Sequence, residues 1–190
     1  MGQRLNIEIL YEGTPIANSY YHWSAYTPPA ISLTEEIIQG YNETSEISPL
    51  KIAVEILQRT GAGVPPDERA RIDSDTTGRF KNIEFVESKS RNDGLIAVTK
   101  EGMEETRTWE EGRVEIDIGE ETVNFMVLCE MSNSEYEECE GENTVVDIPS
   151  VDYDFYSPCK FSDFHKFVDI VVSNPQGVKI GENHIIWWIL

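Results

Sequence analysis

The chain has 190 residues, with 15 Lys plus Arg against 35 Asp plus Glu and a formal net charge of −20. That length suits one domain, expected to run over 1–190, and can bury a core without disulfides or a metal. The charge argues against gripping nucleic acid by its phosphates or docking on an anionic membrane. A 39% hydrophobic and 10% aromatic content argues against wholly disordered chain.

Leu5 to Tyr11 alternates apolar and polar residues, as a half-buried strand does. Glu12-Gly13 turns it, and Ile16 to Trp23 returns as a second strand ended by Thr27-Pro28-Pro29. Ser32 and Glu35 form a capping-box pattern ahead of Ile37, Ile38 and Tyr41, which predicts a helix. Ser48-Pro49 opens another, with Ile52, Ala53, Ile56 and Leu57 inward and Gly61 at its end. Residues 61–79 read as a loop holding about one helical turn. Ile83 to Val86 and Leu95 to Val98 flank Asn92-Asp93-Gly94, a hairpin signal. Val114, Ile116 and Ile118 mark a strand, Gly119-Glu120-Glu121 a turn, and Val123, Phe125, Val127 and Cys129 the next strand. Residues 132–144 read as an acidic loop. Phe161, Phe164, His165, Val168 and Val172 recur at helical spacing over 160–173, with His165 expected on the core side. The apolar end, Ile185 to Leu190, is expected inside a sheet. The fold class predicted is α+β: an antiparallel sheet of about six to eight strands packed with about three helices.

The charge is unevenly distributed. Residues 1–100 hold 14 acids and 10 bases, whereas 101–154 hold 18 acids and only Arg107 and Arg113. Strand residues i and i+2 share a face at roughly 6.6 Å, so Glu115 and Asp117 are expected to project together. Glu110, Glu111, Glu120 and Glu121 bracket that hairpin, and Glu135, Glu137, Glu138, Glu140 and Glu142 extend the charge into the loop. Phosphates along one DNA strand repeat at about half that spacing. Such a surface either keeps the protein soluble or competes for a basic groove. Asp147, Asp152 and Asp154 offer oxygen ligands, but the EF-hand spacing is absent, so no metal or other cofactor is expected.

Tyr20 to Tyr26 is an aromatic-rich run. Alternation sends Tyr20 and His22 to one face and Tyr21 and Trp23 to the other. One set belongs to the core. The other offers materials for a pocket that stacks a planar ring, with Arg4 on the neighbouring strand as an anion contact. Enzyme templates fit poorly: there is no G-x-S-x-G and no H-E-x-x-H, and no catalytic acid, base or nucleophile is nominated. Cys129, Cys139 and Cys159 are an odd, widely spaced set without C-x-x-C. Together with an opening that carries no long apolar stretch, they point to a cytoplasmic protein with reduced thiols.

Met1-Gly2-Gln3-Arg4, Glu12-Gly13 and Asn18 through Tyr26 resemble the opening of a loosely defined group of uncharacterised bacterial and bacteriophage proteins. The resemblance covers about 26 residues and implies a phage or prophage setting, with host cytoplasm as the location. Compact acidic phage proteins are often inhibitors of host defence. Two binding functions are expected, with an enzyme of unrecognised type as a third reading. In the first, the acidic hairpin and loop, 110–142 within the acidic region 101–154, occupy a basic groove of a host protein, for instance a nuclease. In the second, a nucleotide-like small molecule is sequestered beside Arg4, Tyr20, His22 and Trp23. No oligomeric state is implied.

Overall fold

The computed structural model describes residues 4–25, 27–90, 94–126, 130–131, 150–151, 158–173, 178–180 and 183–185. It is α+β. A mixed sheet of six strands has the order β3-β2-β1-β4-β5-β8. These strands are β1 (Arg4–Tyr11), β2 (Thr14–His22), β3 (Leu95–Ala97), β4 (Gly112–Asp117), β5 (Thr122–Met126) and β8 (Cys159–Lys160). Four short strands, β6 (Glu130–Met131), β7 (Ser150–Val151), β9 (Val178–Ile180) and β10 (Asn183–Ile185), form a second sheet ordered β6-β10-β9-β7. Five helices are described: α1 (Thr27–Glu43), α2 (Pro49–Arg59), α3 (Pro66–Ser74), α4 (Lys100–Arg107) and α5 (Phe164–Ser173). No described helix is long and apolar enough to cross a membrane.

Period two builds the core. Leu5, Ile7 and Ile9 are fully buried on one face of β1, and the register aligns them with Tyr21 and Ala17 of β2 and with Val114 and Ile116 of β4. Ile37 of α1 and Ala53, Ile56 and Leu57 of α2 belong to the same buried cluster. Its many apolar side chains supply the main folding drive. The central pair β1–β4 is parallel, so the sheet is mostly rather than wholly antiparallel.

Several elements differ from the sequence reading. The first helix starts at Thr27, not Ser32, because Pro28 and Pro29 sit in its first turn, where proline is tolerated. Ser32 therefore lies inside the helix rather than at its cap. Residues 66–74 form a helix of nine residues, and α4 is a helix that no periodicity announced. The expected 83–86/95–98 hairpin is not formed. Leu95–Ala97 pairs with β2, while Val64 exchanges backbone hydrogen bonds with Val86 and Ser88. Gly94 takes φ +96 and lies so close to Tyr21 that an added Cβ would sit 2.7 Å from its ring. On α5, Phe164 and Phe167 point inward and His165 is exposed, since the apolar stripe runs through the phenylalanines. The Asp147, Asp152 and Asp154 group, Cys129, Cys139 and residues 186–190 lie outside the described residues.

The sheet's second face is polar and yet buried. Asn6, Glu8 and Asn18 alternate away from the core, and all three are at most 2% exposed. The helix α4 lies on that face. Thr99 caps it by accepting from Gly102 N at 3.1 Å. Asn18 Nδ2 donates to Met103 O at 3.2 Å, and the Thr106 hydroxyl donates to Asn18 Oδ1 at 3.0 Å. Arg107 donates through Nε to Glu8 Oε1 at 2.8 Å and pairs with it through Nη2 as well. A polar helix is thus held by hydrogen bonds and an ion pair in which two guanidinium N–H groups converge on one carboxylate oxygen, not by an apolar stripe.

Candidate functional site

Most of the hairpin carboxylates that suggested a coherent acidic surface are engaged by the chain itself. Glu110 receives Arg113 Nε at 3.1 Å and Asn6 Nδ2 at 3.2 Å. The hydrogen bond to Glu110 is the leading influence holding the Arg113 guanidinium above its ordinary pKa, against the opposing effect of burial. Glu115 takes Arg113 Nη1 at 3.4 Å and Asn124 Nδ2 at 3.3 Å. Glu111 Oε2 accepts the main-chain N–H of Arg4 at 2.9 Å. Glu121 accepts the Tyr41 hydroxyl at 3.3 Å. The Glu120 carboxylate is exposed, and no partner for it is found among the described residues. Glu135, Glu137, Glu138, Glu140 and Glu142 lie outside the described residues.

Asp117 has a structural task. Its carboxylate accepts the backbone N–H groups of Glu12, Gly13, Gly119 and Glu120 at 3.1, 2.6, 2.9 and 3.1 Å, tying the β1–β2 turn to the β4–β5 turn. Burial pushes its pKa up, but the four N–H groups together outweigh burial and hold it below the usual value. A depressed carboxyl stabilises the fold fully above the unfolded pKa of about 4, and that contribution is lost as pH falls through the lower folded value. Asp117→Ala is therefore expected to cost about 1–3 kcal/mol near neutrality. Urea midpoints of the two proteins should converge as pH drops below 4. A gap that stays constant would contradict this role.

The aromatic residues of β2 gather at the other end of the polar face. Tyr21 is core: its hydroxyl and the Thr60 hydroxyl share a hydrogen bond at 2.7 Å, and burial pushes its phenol up to about 12. Tyr20 is on the polar face, where its hydroxyl and His22 Nδ1 share a hydrogen bond at 3.1 Å. Trp23 ends the strand at φ +65, is 52% exposed, and meets the His22 ring edge-on at 5.1 Å. Arg4 is the register partner of His22, and its guanidinium carbon lies 5.9 Å from the centroid of the Trp109 ring. Arg4, Tyr20 and His22 are thus at one end of the polar sheet face, with Trp23 in the turn that follows and its ring against His22.

A cavity of about 480 Å³ opens beside Tyr20; Arg4, His22 and Trp23 are not part of its lining. Tyr20, Leu95 and Ala97 of the sheet line it, with Glu105 and Thr106 of α4 and then Trp109. Pro65, Pro66 and Arg71 of the α3 side and Ser88, Lys89 and Ser90 also line it, as do the carboxylate residues Asp67 and Glu68. Arg71 bridges α3 to α4 through Nη2 to Glu105 Oε2 at 2.8 Å and Nη1 to Glu68 Oε2 at 3.3 Å. The hydrogen bond to Glu105 is the leading reason its pKa is raised. Lys89 has no ion-pair partner among the described residues. The volume and the mixed aromatic and polar lining fall in the range of small-ligand sites.

Sequence reasoning missed Trp109, Arg71, Lys89 and Glu68. Trp109 carried a faint signal, as an isolated aromatic in a highly polar run. Among the described residues no cluster of three or more His, Cys, Asp or Glu could hold a metal ion. Cys159 is a buried thiol pushed up by burial, unsuited to act as a nucleophile. Comparison of the chain with family models, curated proteins and solved structures finds no match.

Proposed function

We propose that the protein is a binding protein that sequesters a compact organic molecule with a planar ring in the 480 Å³ cavity. The observation that carries this reading is the meeting of Tyr20 and Trp109, from separate parts of the chain, in the lining of one ligand-sized cavity. An aromatic ring there offers a stacking surface, and Leu95 and Ala97 offer an apolar one.

Stacking on an aromatic side chain is worth roughly 1–3 kcal/mol per ring. Trp109→Ala and Tyr20→Leu are each expected to weaken binding of a heteroaromatic ligand by about 5- to 150-fold while leaving the fold intact. Titration calorimetry with a panel of nucleosides and nucleotides is the test, with quenching of Trp109 fluorescence as a second readout. No binding across the panel, or undiminished binding by Trp109→Ala, would overturn the reading.

A second reading is an inhibitor that blocks a basic groove of a host protein, in the phage setting the opening residues suggest. It is favoured by two abutting turns, in which Glu12, Glu120 and Glu121 are exposed and the backbone of Glu12 lies within 2.9 Å of a Cβ placed on Gly119. Such binding would weaken steeply with salt and would be lost on Glu120→Lys with Glu121→Lys. Ligand capture in the cavity would survive that charge reversal.

A further inference from the structure

We infer that the sequestered molecule carries an oxyanion, and that Arg4 and His22 form the clamp that receives it. This rests on the cavity reading and names the class of ligand it serves. The first observation is that the Arg4 guanidinium has no carboxylate partner among the described residues, in a chain of net charge −20. Arg59, Arg69, Arg71, Arg107 and Arg113 all make ion pairs. Arg79 makes none among the described residues but lies exposed against Phe80. Arg4 is different, because a carboxylate is already at hand. Glu111 takes the main-chain N–H of Arg4 and not its guanidinium.

The second observation is an orphan donor. Arg4 Nε is out of solvent and has no hydrogen-bond acceptor among the described residues. A desolvated, unpaired donor of this kind is costly, so a partner is expected when the site is in use. An oxyanion that displaces the cover over Nε and is gripped side-on, across Nε and one Nη, supplies that acceptor and matches the planar fork of a guanidinium. Third, His22 stands opposite Arg4 in the β1–β2 register. Its Nδ1 is occupied by the Tyr20 hydroxyl, and no partner for Nε2 is found among the described residues. Trp109 joins the two halves of the site, since it lines the cavity and lies against the Arg4 guanidinium. A ring in the cavity and an acidic group at Arg4 describe a nucleotide or an aromatic acid.

Two probe pairs test this by calorimetry: adenosine with adenosine 5′-monophosphate, and indole with indole-3-acetate. The anionic member of at least one pair is expected to bind wild type more tightly than its neutral partner. Arg4→Gln is expected to lose about 10- to 100-fold for that anion and less than about 2-fold for the neutral probe, as removal of a charge-assisted contact implies. Arg4→Lys should recover part of the loss, because it restores charge without the fork. The pair that responds separates phosphate from carboxylate. Equal binding of neutral and anionic probes, or an equal loss of both in Arg4→Gln, overturns the clamp and leaves the cavity reading standing. Failure of all four probes overturns both.

Discussion

Arg107→Ala is expected to destabilise the protein by about 3 kcal/mol, read as a lower urea midpoint. Glu8 sits at the centre of β1 with its side chain 3% exposed, and Arg107 donates to its Oε1 through both Nε and Nη2. Removing the guanidinium leaves a carboxylate out of water without its main counter-charge. The cost of breaking such a pair from one side exceeds the net worth of the pair itself. Arg113 is close enough to feel Glu8 electrostatically, which tempers the loss. The double change Glu8→Leu with Arg107→Met should therefore recover most of the stability, because neither charge is then buried alone. The effect extends to function. Arg107 ties the end of α4 to the sheet, and Trp109 follows two residues later. Arg107→Ala should thus also weaken ligand capture. A loss of under 1 kcal/mol would show that α4 is not held by this pair.

Glu68→Ala is expected to cost about 3–5 kcal/mol. Glu68 is 1% exposed and accepts Val98 N at 2.8 Å, Thr99 N at 2.6 Å and the Thr99 hydroxyl at 2.7 Å, besides pairing with Arg71. It fixes the start of α4 and joins it to α3, so both walls of the cavity depend on it. Alanine strands several buried donors at once. Glu68→Gln keeps an acceptor for the two backbone N–H groups and is expected to cost less than half as much. Gly102 belongs to the same arrangement, since a Cβ there would come within 2.1 Å of Glu68 Oε2. Chemical denaturation of the alanine and glutamine variants is the check, and equal losses would contradict the hydrogen-bond account.

What the sequence disclosed follows from which interactions are local. β1, β2, β4 and β5 were readable because alternation of apolar residues is a property of neighbours. The helix α2 was readable from Ser48-Pro49 and its apolar stripe. By contrast, α4 has a polar sequence whose partners, Glu8, Asn18 and Glu68, lie 31 to 99 residues away for the bonds described above. Alternation made β1 a half-buried strand, but burial of its polar face depends on a helix that periodicity could not see. The acidic reading shows the same boundary. Glu115 and Asp117 do share a face. So does Arg113, two residues before Glu115, and that neutralising partner was legible by the same alternation. Capture of Asp117 by the backbone of the β1–β2 turn was not, because it requires β1 and β4 to pair in parallel. Arg4, Tyr20, His22 and Trp23 could be grouped from their strand positions, whereas Trp109 and Lys89 reach the cavity only through tertiary folding.

Native mass spectrometry of the protein, isolated from its cellular source without denaturation, tests the central claim most directly. The account predicts a retained small molecule of roughly 150–600 Da, from an aromatic acid to a nucleotide, which such a cavity accommodates. It should be released on unfolding and be absent from a Trp109→Ala, Arg4→Gln protein recovered in parallel. A mass equal to that of the bare chain, or one carrying a basic protein and no small molecule, would contradict it.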